Sequence, residues 1–122
     1  MIEVVLLAPV LMLIVFVIVQ TALFMHARHV ALAAAQQGAR TARSGTLTGT
    51  GTPATTGDVQ ASTLAYLHQL GADLVSHPTV SVTRTTTTAT VRVDAHAISI
   101  LPGFTLHVSE TSSGPLETFR AP

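Results

Sequence analysis

The sequence VVLLAPVLMLIVFVIV, residues 4–19, opens an uncharged segment that follows Glu3 directly and continues to Met25. At about 1.5 Å per residue, a helix from Val4 to Met25 would reach about 33 Å, enough to cross the hydrocarbon core of a bilayer. Helix-forming residues then continue as ALFMHARHVALAAAQQGARTAR, residues 22–43. We therefore expect one membrane-spanning helix that extends well beyond the membrane.

Composition and charge exclude several classes of function and of site. Six acidic residues balance six arginines, and lysine is absent. No basic stripe is present, so nucleic acid is not an expected partner. The chain has no cysteine, so neither disulfides nor thiolate metal sites are available.

Three segments follow from the pattern. Residues 1–43 form the transmembrane and extended helix. Residues 44–57, SGTLTGTGTPATTG, are rich in Thr and Gly and predict a solvated linker. Residues 58–122 predict a small α+β domain. The predicted fold class is thus α+β, with a long helix, a short helix and a small antiparallel sheet.

The short helix is predicted to start at Asp58 as its N-cap. Gly71 lies within this helix, so the last turn is expected either to fray or to pack very closely. The dipeptide His77-Pro78 is expected to end the helix, because the residue before proline avoids the helical region. Apolar residues recur at helical spacing up to Val75, at positions Val59, Leu64, Leu67, Leu70 and Leu74.

Three strands are predicted after the short helix. The first contains the alternating Val80 and Val82, and a threonine-rich hairpin loop follows at residues 84–88. The second strand is expected to end near Ile98, where the alternation slips, before a Pro102-Gly103 turn. One face of the second strand is expected to hold Val91, Val93, Ala95 and Ala97, and one face of the third to hold Phe104, Leu106 and Val108. This apolar face needs a cover, and the two helices can supply it.

Small residues form a stripe along the outer half of the long helix. Such a stripe lets another helix or a sheet approach closely. It is equally consistent with alanine serving simply as the best helix former. The predicted helix-packing positions are Ala27, Ala31, Ala35, Gly38 and Ala39.

Several of these residues resemble one family. Ile2-Glu3, the six-residue spacing from Glu3 to Pro9, the apolar run through Val19 and the segment HARHVALAAAQQGARTAR are similar to TadE-like pilus-assembly proteins. The resemblance covers about the first 43 residues. It implies a minor pilin or pseudopilin in assembly of the tight-adherence (Flp) pilus, located in the cytoplasmic membrane and at the cell surface. It also implies that the domain of residues 58–122 lies outside the cytoplasm.

The resemblance also implies partners and two assembly residues. The expected partners are the lipid bilayer, other pilin or pseudopilin subunits, the tight-adherence assembly machinery and a prepilin peptidase. Glu3 would be neutralised by a neighbouring subunit's terminal amine, coupling exit from the bilayer to assembly; alternatively, Glu3 is only a flank in the headgroup layer. Pro9 cannot donate a backbone hydrogen bond and clashes with the preceding turn, so a bend is expected from Val5 to Pro9.

Two features depart from the family pattern. Only Met1-Ile2 precedes Glu3, whereas family members carry a basic leader, so either translation starts further upstream or the product is not processed. Arg28, Arg40 and Arg43 follow the span, and the positive-inside rule would keep them in the cytoplasm. A cleaved signal peptide fits less well, because the apolar region exceeds the usual length.

No enzyme, cofactor or metal site is predicted. His26 and His29 lie three residues apart on one helix, but no third ligand is near them in sequence. The other histidines are dispersed and are expected at the surface. The acids show no pairing, and no nucleophile or phosphate-binding motif is present. The alternative function is a single-pass, membrane-anchored interaction domain that does not enter a filament.

Overall fold

The computed structural model describes residues 1–43, 54–71 and 73–116. It contains a long helix, a short helix and a three-stranded antiparallel sheet, which confirms the predicted α+β class. The predicted linker, residues 44–57, lies outside the described residues as far as residue 53. The elements in chain order are α1 (Ile2–Arg43), α2 (Thr56–Gly71), β1 (Val75–Arg84), β2 (Thr88–Ala97) and β3 (Leu106–Pro115).

Helix α1 is continuous over 42 residues, and Pro9 lies inside it. Proline lacks an N–H group and so removes one backbone hydrogen bond in the third turn, yet the helix continues through it. Thr21 Oγ1 donates a hydrogen bond to the carbonyl of Val17 at 2.8 Å, so this hydroxyl is satisfied within the helix. Every residue from Ile2 to Val19 is exposed, and Gln20 is the first buried one.

The predicted N-cap of α2 was wrong by three residues. Thr55 caps the helix, since its Oγ1 accepts a hydrogen bond from the Asp58 N–H at 3.2 Å. The Asp58 carboxylate accepts from the Thr55 N–H at 2.9 Å in return. This reciprocal pair is a capping box, with Asp58 in its third helical position. Hydrogen bonds from the Thr55 side chain and backbone lower the pKa of Asp58.

The predicted end of α2 at His77-Pro78 was also wrong. The helix ends at Gly71, and β1 begins at Val75. His77 adopts a left-handed φ of 50°, and the register shifts between Ser76 and Thr79. This bulge carries the strand through Pro78, which has no N–H to contribute to the ladder.

Gly71 packs closely, which was one of the two predicted alternatives. A Cβ at Gly71 would lie 3.3 Å from Val30 Cγ1 and 3.2 Å from Leu74 Cδ1. The buried positions of α2 are Val59, Thr63 and Leu67. Leu70, which the apolar pattern placed in the stripe, is 44% exposed.

The sheet is an antiparallel meander of order β1-β2-β3. Threonines close the predicted hairpin loop between β1 and β2 without glycine. Thr85 N–H donates to the Thr88 carbonyl at 2.8 Å, and Thr85 Oγ1 accepts from the Thr88 N–H at 3.0 Å. The loop therefore satisfies its own backbone groups.

The apolar face of the sheet is as predicted for β2 and only partly so for β3. Val91, Val93, Ala95 and Ala97 are all buried. Phe104, however, precedes β3 and is 64% exposed. The strand instead runs ten residues from Leu106, and it buries Val108.

Both helices cover this apolar face, which confirms the predicted cover. The outer half of α1 packs on β2 and β3, and α2 packs on β1 and α1. Leu67, Val93 and Val108 lie in the cluster nearer the exposed half of α1, and Val59 and Val91 lie in the cluster nearer its C-terminus. The first half of α1 is thus apolar and exposed, and its second half forms part of the core of a small domain.

Candidate membrane and subunit interface

The exposed half of α1 is the largest apolar surface among the described residues. It runs from Ile2 to Val19, with side chains such as Leu6, 66% exposed, and Leu11, 63% exposed. Glu3 lies exposed in the first turn of this half and is its one charged residue. A surface of this size must be covered by lipid or protein, since soluble monomers rarely expose so large a patch.

The predicted small-residue stripe lies on the opposite half of α1. All five positions are buried within the chain itself, where α1 meets the sheet and α2. Gly38 is the tightest of them, since a Cβ there would collide with Thr63 Oγ1 and lie 3.0 Å from Val91 Cγ1. In this conformation these positions are not offered to a second copy of the chain. They are Ala27, Ala31, Ala35, Gly38 and Ala39.

Gln20 marks the junction between the two halves. Its Nε2 donates to the Ile98 carbonyl at 3.2 Å, and its Oε1 accepts from the Ile100 N–H at 3.0 Å. Ser99 Oγ also donates to Oε1 at 3.4 Å. One buried amide therefore ties the β2–β3 loop to α1 at the point where its exposed apolar half ends. This role was not predicted from the sequence; the available signal was a lone glutamine at the end of an apolar run.

The β2–β3 loop, residues 98–105, lies against the exposed half of α1. Two grooves of about 390 and 560 Å³ separate the loop from the helix. Leu101 and Phe104 line both grooves, and Val17 does so from α1. The second groove extends along α1 to Pro9.

An ion pair follows the uncharged segment of α1. Arg28 Nε lies 2.8 Å from Glu110 Oε1 on β3, with the Arg28 side chain 51% exposed. The pair links the helix to the edge strand just past Met25, where the uncharged segment ends. Its electrostatic contribution is small at this exposure, about 1 kcal/mol or less.

Three histidines that we expected to be dispersed lie together on the outer face of the sheet. The ring centroids of His77 and His96 are 6.4 Å apart, and those of His96 and His107 are 5.5 Å apart. Asp94 lies beside them, and the Arg92 guanidinium lowers its pKa by hydrogen bonding. The pairing of β2 with β3 places His96 opposite His107. This pairing could not be read from the sequence.

The row is not arranged as a metal centre. Within residues 1–43, 54–71 and 73–116, no group of three or more histidine and acidic side chains is arranged to hold a metal ion. His26 and His29 are both exposed on α1.

These features define a class: an α+β protein with one N-terminal apolar helix that is a single-pass membrane anchor by length and composition. Among the residues that the structure describes, α1 is the one helix with these properties. Comparison with known families gives a match over residues 1–40 to the model described as TadE-like protein. The resemblance of the N-terminal helix to TadE-like proteins is thereby confirmed. Neither the curated proteins nor the solved structures provided a match to this chain.

Proposed function

We propose that this chain is a minor pilin-like or pseudopilin-like subunit in assembly of a tight-adherence pilus. One observation carries the proposal: the TadE-like match falls on a helix whose first half is apolar, fully exposed and headed by Glu3. Such a half-helix suits residence in a bilayer before assembly and packing among other helices afterwards. The domain carried by its second half would then lie outside the cytoplasm.

Glu3 gives the proposal a physical mechanism. Insertion scales assign an acidic residue a cost of about 2.5 to 3.5 kcal/mol at mid-bilayer, and less near the edge. An amine from a neighbouring subunit would offset that cost by pairing with the carboxylate. Leaving the lipid and joining a filament would then be coupled through one residue. Pro9, within the same exposed half, would adjust the path of the helix during packing.

The proposed role needs no catalysis. The chain acts through contacts with lipid, other subunits and the assembly machinery. A prepilin peptidase is the expected processing enzyme if the protein is made as a precursor. The alternative is a membrane-anchored interaction domain that never enters a filament, and recovery from sheared surface material separates the two.

The test is recovery of the protein from washed membranes and from material sheared off the cell surface, with intact mass measured in both. We expect a sheared species that retains the Val4–Met25 segment. In the Glu3→Leu variant we expect normal membrane insertion, because the apolar span is lengthened, but loss of the sheared species. Glu3→Gln removes the charge and should behave like Glu3→Leu. The matched control is Asp73→Leu, which alters an exposed acid of the outer domain and should leave piliation unchanged.

Three outcomes would contradict parts of the proposal. Normal piliation in Glu3→Leu would remove the role assigned to Glu3. Full-length protein confined to membranes would favour the anchored interaction domain. A soluble species lacking the Val4–Met25 segment would make that segment a cleaved signal peptide and overturn the proposal.

A further inference from the structure

We propose that the β2–β3 loop, residues 98–105, inserts into the acyl region of the bilayer beside α1, with lipid chains filling the two grooves between them. The inference rests on the membrane-anchor part of the proposed function and adds a second point of contact with lipid. The protein would then have two membrane-inserted segments, helix α1 and the β2–β3 loop.

The composition of the loop is the first support. Its sequence, ISILPGFT, contains no charged residue. Ile98 is 40% exposed, Ile100 is 42% exposed and Phe104 is 64% exposed. Surface loops ordinarily carry polar residues, whereas a contiguous exposed apolar patch marks an interaction site.

The position of the loop along α1 is the second support. Leu101 and Phe104 share a groove with Phe16 and Met12. At about 1.5 Å per residue, Phe16 lies about 13 Å along the helix from Met25, where the uncharged segment ends. If that segment spans the bilayer, the tip of the loop lies at acyl depth and not in water.

Hydrogen bonding within the loop is the third support. Unpaired backbone polar groups are costly in lipid, so a loop at this depth needs hydrogen-bond partners within the protein. The Ile98 N–H donates to the Leu74 carbonyl at 3.1 Å, and the Ile100 N–H donates to Gln20 Oε1 at 3.0 Å. The Leu101 N–H donates to Ser99 Oγ at 3.2 Å. Gln20 is satisfied by the same loop, so a polar side chain at this depth costs little.

Lipid is the occupant that the surroundings of the grooves favour. Both grooves open onto α1 side chains that already belong to the lipid-facing surface, from Pro9 to Thr21. Apart from Gln20 and Thr21, whose polar atoms are hydrogen-bonded within the chain, their walls are apolar. A helix from a second copy is the competing occupant, and the experiment distinguishes it.

The experiment uses the absence of tryptophan from the chain. Phe104→Trp places a single fluorophore on the exposed loop, and Ile100→Trp is an independent second reporter. Leu11→Trp, which lies outside both grooves and is 63% exposed, reports on α1 in the span. Thr86→Trp reports on the exposed β1–β2 loop at the other end of the sheet. The full chain is reconstituted into phosphatidylethanolamine–phosphatidylglycerol vesicles with or without acyl-brominated phosphatidylcholine. Circular dichroism checks that each variant retains its fold.

We expect Phe104→Trp and Ile100→Trp to emit at short wavelength and to lose most of their emission to brominated lipid, as Leu11→Trp does. Thr86→Trp should emit as in water and be quenched by acrylamide. Loop reporters that follow Thr86→Trp while Leu11→Trp is quenched by lipid would overturn the inference and leave the anchor intact. Loop reporters shielded from both quenchers, while Leu11→Trp is quenched by lipid, would overturn it in favour of a second copy. If Leu11→Trp also escapes lipid, the anchor fails too, whereas the pilus role is judged separately by the shearing experiment.

Discussion

From Ile2 to Val19, α1 carries large aliphatic side chains that are exposed, whereas from Ala27 to Ala42 it carries mostly small residues that are buried. In a soluble helical protein the large residues would lie inside. In α1 the size of the side chains differs with the surroundings of each half. Lipid accepts bulky, irregular apolar surface, while the flat face of a sheet can approach the helix only where the side chains are short.

The packing of the buried half of α1 depends more on how closely the sheet and α2 approach the helix than on the apolar area of its own side chains. Alanine buries little apolar surface, about one methyl group each. The larger contribution comes from side chains such as Leu67, Val93 and Val108 that reach the thin helix. Enlarging a buried residue of α1 should therefore be damaging, while the same change in the exposed half should be harmless.

The largest expected effect is that of Ala31→Leu. Ala31 is 0% exposed, so three added carbons must displace the sheet or α2. We expect a loss of about 3 kcal/mol of unfolding free energy, at the upper end for overpacking. Hydrogen exchange of the β2 amides in detergent micelles measures this loss. Ala8→Leu, in the exposed half, is the matched control and should change protection little; equal effects in both variants would contradict the comparison.

A smaller effect is expected for Gly38→Ala. The new methyl group would meet Thr63 Oγ1 and Val91 Cγ1. We expect about 2 kcal/mol of destabilisation. Adding Thr63→Ala should recover part of the loss, because it removes the closest atom, and denaturant titration of the single and double variants measures the coupling.

Gly57→Ala is the matched glycine control. A Cβ at Gly57 would meet only Thr55 Oγ1, at 3.7 Å, which is ordinary contact. This variant should be neutral or stabilise α2 slightly, because alanine is the better helix former. If Gly38→Ala were equally mild, the close approach of α1 to the domain would not be a constraint.

The smallest of the three effects is expected for Gln20→Leu, which tests the junction between the exposed and buried halves of α1. Gln20→Leu leaves the Ile100 N–H and the Ile98 carbonyl without their partner. We expect about 1 kcal/mol of local destabilisation, seen as faster hydrogen exchange at Ile100 with little change at Val93. Gln36→Leu, at an exposed position of α1, is the control. Unchanged exchange at Ile100 would show that Gln20 does not hold the loop.

Much of this architecture could be predicted from local patterns. The uncharged run and the helix-forming residues after it indicated a helix up to Arg43, and the alternation from Val91 to Ala97 indicated the buried face of β2. The first signal is strong because it is long and uniformly apolar, and the second because a period of two persists along the strand. The Thr-rich hairpin was placed correctly for the same reason, as two alternating runs bounded it.

The errors arose where tertiary contacts override local signals. His77-Pro78 indicated the end of a helix, but a bulge lets β1 begin earlier, at Val75. The misplaced cap of α2 was instead a local error, because Thr55 and Asp58, three residues apart, form a capping box in which Asp58 is the third helical residue. The Gln20 contact and the histidine row each join residues distant in sequence, so no local pattern could reveal them. The assembly roles of Glu3 and Pro9 stay predictions.

The continuity of α1 gives the domain no hinge at the membrane. From Gln20 to Arg43 the helix extends about 35 Å along the domain, as one body with the segment before it. Transmembrane helices tilt by about 20° on average, and such a tilt would swing the far end of α1 sideways by about 12 Å. If α1 spans a bilayer, a small rotation of the helix there would therefore become a large displacement of the loop at the far end of the sheet.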